Sequence, residues 1–305
     1  MQRTGKGFGV NIKAKIELIE FTDPYCTWCW GSEPILRRIQ ETYGEQVTLR
    51  FVMGGLMDDA DHVNDPANGI GGSDWKRQVA AHWLDASSRH GMPVDISEFA
   101  EKVAPKSTYP ANIAYEAAKL QNPELADRYL RRLREAAATE SRSIHLPEVQ
   151  ADIAEELGLD RIRFFADLAG SARQAFADDQ RFCHASGAHG FPTFLIRAGG
   201  RERLLRGYNR FPAFAAVFDS LAGEPLEKNR LTISEDAVLD FIGKYGSAVA
   251  REVVEVFGVS DSEAEAILCQ LVSKGQIEAH PAGTGTLYRA LQSGEYCDPS
   301  TGACM

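Results

Sequence analysis

Long apolar segments are absent from this sequence, and no stretch approaches the roughly 20 apolar residues that a membrane-spanning helix needs. We therefore predict no membrane span. Basic residues are also scarce, since 33 Lys and Arg stand against 43 Asp and Glu and leave a formal net charge of −10. A phosphate backbone requires a basic surface, so this balance argues against broad nucleic-acid binding.

Secretory features are also missing from the N-terminal stretch MQRTGKGFGVNIKAKIELIEF, which has basic residues but no apolar h-region and no small-residue cleavage site. We therefore expect a cytoplasmic protein. Cytoplasmic thiols are kept mostly reduced, so the few cysteines present are more typical of catalytic, metal-binding or core positions than of a disulfide scaffold. These cysteines are Cys26, Cys29, Cys183, Cys269, Cys297 and Cys304.

The chain begins with a β-α-β pattern. KIELIEF, 15–21, predicts a buried strand, EPILRRIQETY, 33–43, has the spacing of an amphipathic helix, and QVTLRFVMGG, 46–55, predicts a second strand closed by glycines. The intervening TDPYCTWCWGS is then a strand-to-helix turn. The two cysteines of this turn are therefore expected at the N-terminal end of the helix.

The rest of the chain predicts an α/β fold followed by a smaller module. The pattern is helical over about 73–186, a hairpin follows over 190–208 with a turn at Gly199 and Gly200, and a helix ends this part. The polar, proline-containing segment 224–230 predicts a domain boundary. We therefore expect a first domain over 1–223, three short helices and two strands over 231–291 that resemble a winged-helix module, and a cysteine-containing tail over 292–305.

Cys26 and Cys29 have the spacing of a redox-active dithiol. A helix N-terminus presents unpaired N–H groups and the positive end of the helix dipole, which stabilise a thiolate and lower its pKa. In C-x-x-C the second sulfur lies one turn further on, where it can resolve a mixed disulfide. Cys26 is therefore the predicted attacking thiol and Cys29 the resolving one.

Glu20 is a carboxylate on an otherwise apolar strand, shortly before the dithiol. Burial would raise its pKa and allow it to relay a proton to or from Cys29. If the strand simply alternates, Glu20 faces solvent instead. We expect Glu17 to be the exposed member of the two glutamates.

The segment GFPTF, 190–194, completes a family resemblance. Cys26-Thr27-Trp28-Cys29 on a strand-to-helix turn, with Phe191-Pro192-Thr193 before a late hairpin, resembles the thioredoxin fold, and the long helical insertion resembles the DsbA branch. FTDPYCTWCWGSEPILRRI and VMGGLM are most similar to the cytoplasmic, FrnE-like or disulfide-isomerase members. The resemblance covers about 15–222.

The resemblance implies roles for individual residues. Pro192 would be a cis-proline beside the dithiol, and residue 191 would offer an edge to an incoming peptide. Phe191 departs from the valine or threonine common at this position, which puts the substrate preference in doubt. Glu20 matches the family's buried acid. The expected substrate-binding residues are Tyr25, Trp28, Phe191, Pro192 and Thr193. Trp30 either completes this aromatic collar or packs into the helix.

The resulting prediction is a thiol–disulfide oxidoreductase or protein disulfide isomerase that exchanges disulfides with protein or peptide substrates. Glutathione or a thioredoxin system are the candidate redox partners, and no metal or other cofactor is expected, because the cysteines supply the chemistry. Two alternatives stay open. One is a non-catalytic adaptor that binds a partner protein through the same groove. The other is a glutathione-dependent isomerase, although 2-hydroxychromene-2-carboxylate isomerases generally carry serine where Cys26 stands.

The cysteines have three other interpretations: structural zinc, a second redox pair and core packing. Structural zinc would need four ligands, and no second C-x-x-C pair is present. Cys297 and Cys304 are either a second redox pair that exchanges with the dithiol or functionally silent thiols. FrnE-like proteins carry an additional C-terminal pair, so both interpretations remain. Cys183 and Cys269 are expected in the core of their helices.

A winged-helix-like module raises DNA binding as an alternative function. The third helix would have to enter the major groove. Its first residues include Asp261, Glu263 and Glu265, which would repel phosphate. Contact with protein is therefore the expected use of the module.

Overall fold

The computed structural model describes residues 15–66 and 68–291. Nine strands are described: β1 (Ile16–Thr22), β2 (Val47–Met53), β3 (Asn64–Asp65), β4 (Ile70–Gly71), β5 (Thr193–Ala198), β6 (Arg201–Arg206), β7 (Ser247–Val249), β8 (Ile277–Ala282) and β9 (Gly285–Ala290). The first helices are α1 (Thr27–Tyr43), α2 (Trp75–His90), α3 (Tyr109–Gln121), α4 (Pro123–Thr139), α5 (Pro147–Glu156) and α6 (Arg161–Ala169). They are followed by α7 (Ser171–Ala185), α8 (Phe211–Leu221), α9 (Glu235–Tyr245), α10 (Ala250–Phe257) and α11 (Asp261–Ser273).

A four-stranded sheet in the order β2-β1-β5-β6 forms the centre of the first domain. Strand β1 is parallel to β2, with Glu20 opposite Phe51, and antiparallel to β5, with Phe21 opposite Thr193. A parallel β1-β2 pair needs a crossover, which α1 supplies. The predicted β-α-β start and late hairpin are therefore confirmed, and the fold is a thioredoxin fold with a long helical insertion.

The two faces of β1 pack against different layers, because successive side chains point to opposite sides of a strand. Leu18 packs with Ile35 and Ile39 of α1 on one face. On the other face Phe21 packs with Cys183 of α7, which is buried as expected. The strand that carries Glu20 is therefore covered on both sides.

Helix α1 begins at Thr27, earlier than the predicted 33, and contains Pro34 within it. Proline favours the start of a helix, so the sequence pattern placed the boundary next to Pro34. The consequence is that Cys29 lies inside the first turn of α1.

The helical insertion builds its own core from α2 to α6. Trp83, Phe99, Tyr129 and Phe164 are buried there among many alanines. Ahead of α2, the short strands β3 and β4 pair with each other, which the sequence pattern did not predict. No helix in residues 15–66 and 68–291 is long and apolar enough to cross a membrane.

Residues beyond 230 form three helices and a three-stranded sheet in the order β7-β9-β8. Their core contains Val238, Phe241, Leu268 and Leu271. Two expectations were wrong here. The module has a third strand, β7, where two were expected, and Cys269 is exposed because Leu268, its neighbour, takes the core position of α11.

The C-terminal module is joined to the insertion by close contacts. Arg131 of α4 donates to both oxygens of Glu252 in α10 at 2.8 and 2.9 Å, and both side chains are buried. Gly283 lies so close to the insertion that a Cβ there would be 2.0 Å from the carbonyl oxygen of Val94. The division into domains and the likeness to a winged helix remain predictions.

Candidate functional site

Cys26 and Cys29 form a disulfide at the N-terminus of α1, with their Cα atoms 5.1 Å apart. Cys26 is the N-cap residue, and its Sγ accepts a hydrogen bond from the Cys29 backbone N–H at 3.1 Å. Cys26 is 5% exposed whereas Cys29 is fully buried. An incoming sulfur can therefore reach only Cys26 of the pair, which supports the predicted order of attack.

The segment 190–193 lies against the end of the central sheet. The Phe191–Pro192 peptide bond is cis, as the resemblance implied. Thr193 begins β5, is buried, and its Oγ1 donates to the Gly190 carbonyl at 2.7 Å. The Phe191 ring occupies the space above Gly54, where a Cβ would be 2.0 Å from the Cζ atom of the ring. Gly54 of VMGGLM therefore makes room for Phe191, beyond closing a turn.

Asp23 organises the turn that carries the dithiol, a role that the sequence analysis missed. Its fully buried carboxylate accepts hydrogen bonds from the backbone N–H groups of Tyr25 and Leu56, at 2.8 and 2.7 Å. It also accepts from Thr108 Oγ1 at 2.7 Å and Asn112 Nδ2 at 2.8 Å. Asp23 thus ties the turn to the end of β2 and to the insertion. An Asp before Pro24 is the sequence signal that could have identified it.

Glu20 is fully buried, as predicted, while Glu17 is partly exposed. Burial raises the pKa of Glu20 to about 7, because it outweighs the opposing effect of the Arg134 guanidinium, and the nearby Glu33 charge raises it further. Glu20 Oε1 accepts from Arg134 at 3.4 Å, and Oε2 has no hydrogen-bond partner among the described residues. Neither oxygen is hydrogen-bonded to a cysteine sulfur there, so the proton relay remains a prediction.

Arg134 connects Glu20 to a wider set of buried charges. It donates to Thr22 at 2.5 Å and pairs with Glu33 of α1. Burial opposes the charge of Glu33, but Arg134, Arg37 and Arg131 overcome this effect and hold the pKa of Glu33 below its ordinary value. Arg134 therefore lies between two buried carboxyls, Glu20 on β1 with a pKa near neutrality and Glu33 on α1, which stays charged. No feature of the sequence predicted that Arg134 is fully buried.

The aromatic collar is only partly exposed. Trp28 is half-buried, donates from Nε1 to His82 at 3.2 Å and lies beside Tyr208. Tyr25 is buried and its hydroxyl is hydrogen-bonded to His145 Nδ1 at 3.0 Å. Trp30 is buried too, which agrees with the alternative that it packs inside the protein rather than joining an exposed collar. The reason is that its Nε1 donates to the Pro93 carbonyl at 2.9 Å inside the insertion core.

A groove of about 500 Å³ opens beside the dithiol. Cys26, Trp28 and Tyr25 line it from the α1 side, and Phe191 lines it from the segment before β5. The insertion contributes the remaining wall, including His82 and Trp83. The structure thus brings together most of the predicted site residues around one concave surface. Pro192 and Thr193 lie behind Phe191 and are not among the lining residues.

Residues 15–66 and 68–291 contain no group of three His, Cys, Asp or Glu side chains that could hold a metal ion. The second predicted redox pair, Cys297 and Cys304, lies outside the described residues.

The sheet order, the helical insertion and the dithiol at the start of α1 define a DsbA-like protein with a thioredoxin fold. The family model described as thioredoxin matches residues 20–203. This chain belongs to that thioredoxin family.

One curated relative is the ClpXP adapter protein SpxH of Halalkalibacterium halodurans. It is 27% identical to this chain over 282 residues, which cover 91% of this chain and 89% of the relative. The likeness therefore extends through nearly the whole of both proteins.

Solved structures of similar fold match about two thirds of this chain. The cytosolic disulfide reductase DsbM from Pseudomonas aeruginosa is 26% identical, with a TM-score of 0.53, and the match covers 67% of this chain and 97% of that protein. The same protein has also been solved with GSH. A structure from Nitrosomonas europaea, whose assignment as a protein disulfide isomerase is itself a proposal, is 22% identical with a TM-score of 0.57 and covers 68% of this chain and 97% of its own. It shows the fold alone.

Proposed function

We propose that this chain is a partner-binding adaptor, which holds a protein in the groove beside Cys26 and delivers it to a protease of the ClpXP type. The observation that carries this proposal is the extent of the likeness to the ClpXP adapter protein SpxH, which takes in 91% of this chain. Residues 1–223 are too few to supply that share, so the likeness includes the C-terminal module. The match to the disulfide reductase covers only 67% of the chain.

The comparisons thus favour the adaptor over the oxidoreductase, although the sequence pattern favoured the oxidoreductase. The sequence placed the oxidoreductase first and the adaptor second, because the C-x-x-C motif was its strongest signal. The full-length relatives favour the adaptor. The groove is compatible with it, since the half-buried Trp28 and Phe191 and the exposed Leu56 line it and suit contact with a polypeptide.

Thiol–disulfide exchange is the second candidate function, and the Cys26–Cys29 disulfide at a helix N-terminus favours it. In the reducing direction, the Cys26 thiolate attacks one sulfur of a substrate disulfide, forms a mixed disulfide and releases a substrate thiolate. Cys29, deprotonated with Glu20 as the proton acceptor, then attacks the Cys26 sulfur and releases the second thiolate. Two electrons pass to the substrate, and a Cys26–Cys29 disulfide remains.

The two functions are separated by a double variant, Cys26→Ser/Cys29→Ser. Protein half-lives after a translation block would be compared in cells that lack the chain, cells that express the wild type and cells that express the double variant. For an adaptor, proteins stabilised by the deletion are degraded again with either version, and this restoration requires ClpX. If only the wild type restores degradation, the dithiol chemistry is essential and the second candidate takes first place.

A second readout measures the chemistry directly. Purified wild type and the double variant would be assayed for reduction of insulin disulfides, with a glutathione or a thioredoxin system as the electron source. Turnover by the wild type alone establishes an oxidoreductase. Degradation restored by the double variant without turnover by either protein establishes a pure adaptor.

A further inference from the structure

Among the described residues, the groove beside Cys26 is lined by acidic side chains and by the histidines His62, His82 and His189, but by no Lys or Arg. Asp58, Asp59 and Asp65 contribute to its wall, while Lys and Arg are absent from the lining. Lys76 and Lys106 directly follow lining residues in the sequence but do not line the cavity.

The three aspartates keep their charges uncompensated in this part of the structure. Asp58 accepts a hydrogen bond from the backbone N–H of Asp59 at 2.7 Å, and Asp59 accepts from the backbone N–H of Asp61 at 3.0 Å. Asp65 accepts from Asn68 Nδ2 at 2.7 Å. All of these donors are neutral, and none of the three aspartates forms an ion pair with a described basic side chain. A negative potential over the groove follows.

The floor of the same groove is apolar. Leu56, which directly follows Gly54 and Gly55, lines this floor and is 52% exposed. Val79 and Trp83 of α2 face it from the insertion, and Phe191 closes the end near the dithiol. An occupant therefore meets an apolar floor and an acidic wall.

Thr27 adds a polar group that has no partner within the described residues. Thr27 is only 5% exposed and lines the groove directly after Cys26. Its Oγ1 makes no hydrogen bond within the described residues. A buried hydroxyl without a partner is costly, so the site favours an occupant that supplies one. The backbone of an extended peptide, which has a donor and an acceptor at each residue, can do so.

We infer that the groove binds an extended segment of its protein partner in which basic residues flank an apolar one, and that it discriminates against glutathione. This inference rests on the proposed function and specifies the partner. Arg or Lys of the segment would pair with Asp58, Asp59 or Asp65, while the apolar residue would cover Leu56. Glutathione carries two carboxylates and one ammonium, so the same aspartates would repel it.

The test uses the full chain with Cys26→Ser/Cys29→Ser, which removes disulfide exchange and leaves binding alone. Two labelled heptapeptides with a Leu-Ser-Leu centre, flanked by Arg and Lys in one and by Glu and Asp in the other, are titrated by fluorescence anisotropy. The variant Asp58→Asn/Asp59→Asn/Asp65→Asn keeps the acceptor oxygens that hold the loop but removes the charges. The matched control replaces exposed acids outside the groove, as Asp219→Asn/Glu224→Gln/Asp240→Asn.

We expect the basic peptide to bind about tenfold more tightly than the acidic one, since three exposed charge pairs contribute modestly. Added salt should reduce this difference. The groove variant should lose the preference and the control variant should keep it. Equal binding of both peptides, retention of the preference in the groove variant, or no binding of either peptide would overturn the inference. The degradation and insulin assays judge the proposed function separately, because neither uses these peptides.

Discussion

At the scale of single residues, the Glu20 carboxyl group couples the core of the protein to pH. Its folded-state pKa of about 7 lies above the ordinary value of 4.5, so the folded state binds more protons than the unfolded state between these values. The contribution of Glu20 to stability is therefore most favourable below that window. It is lost progressively as the pH rises to about 7, where the buried carboxylate must carry its charge.

The variant Glu20→Gln tests this behaviour. It cannot ionise, so its free energy of unfolding should decline less than that of the wild type between about pH 5 and about pH 8. Denaturant unfolding at these two pH values measures the difference. Glu17→Gln is the control, because Glu17 is partly exposed on the same strand. A parallel pH dependence in the Glu20 variant and the wild type would contradict the raised pKa.

The accessibility of the two sulfurs gives a second prediction at this scale. In Cys29→Ser, a mixed disulfide formed at Cys26 cannot be resolved and should accumulate with a small disulfide such as oxidised glutathione. In Cys26→Ser, the buried Cys29 should react far more slowly. Intact-protein mass spectrometry measures both adducts. Equal adduct formation by the two variants would mean that Cys29 is reached directly, contrary to its burial.

At the scale of secondary-structure elements, the end of β2 and the segment before β5 depend on each other through Gly54 and Phe191. A Cβ at position 54 would be 2.0 Å from the Phe191 ring, so Gly54→Ala must displace the ring or shift the backbone. Overpacking of this kind costs about 1–3 kcal/mol. Chemical unfolding measures the loss.

Gly190→Ala is the matched control for this prediction. Gly190 lies one residue before Phe191, and a Cβ there meets no atom within 4 Å. Its unfolding free energy should therefore change far less than that of Gly54→Ala. If both alanine variants were equally stable, the contact between Gly54 and Phe191 would not control the position of the ring.

At the scale of the whole molecule, buried charges join the thioredoxin domain, its insertion and the C-terminal module. Arg131 of the insertion pairs with Glu252 of the C-terminal module and with Glu135, and it lies 3.4 Å from Glu33 of α1. Arg134 continues the series from Glu33 to Glu20. The module that distinguishes the full-length adapter relatives from the shorter reductase is therefore packed against the elements that carry the dithiol.

Removal of one partner from this network should be severely destabilising. Glu252→Ala leaves the Arg131 guanidinium buried with less compensation, and loss of one member of a buried ion pair costs about 3–5 kcal/mol. Denaturant unfolding, followed by Trp fluorescence, measures the change. Asp152→Ala is the control, since its pair with Arg161 is exposed and worth about 0–1 kcal/mol. A similar effect of the two substitutions would show that the network does not hold the module in place.

The sequence by itself determined the elements whose signals are local. The short apolar runs KIELIEF and VTLRFVM predict β1 and β2, and two glycines after TFLIRA predict the hairpin, because apolar runs and turn chemistry act over a few residues. The C-x-x-C spacing likewise fixes the dithiol at the start of α1. The burial of Glu20 was predictable because it interrupts an apolar strand.

Only the tertiary structure decided which residues surround the dithiol. Asn112 and Arg134 are distant from the dithiol in sequence, and their roles arise from the hydrogen bonds that they donate to Asp23 and Glu20. The solvent exposure of Cys269 was mispredicted, and the burial of Trp30 was left open, for the same reason: helical spacing does not say which neighbour covers a face. Burial depends on the packing of whole elements, and that packing is a long-range property which no short stretch of this sequence contains.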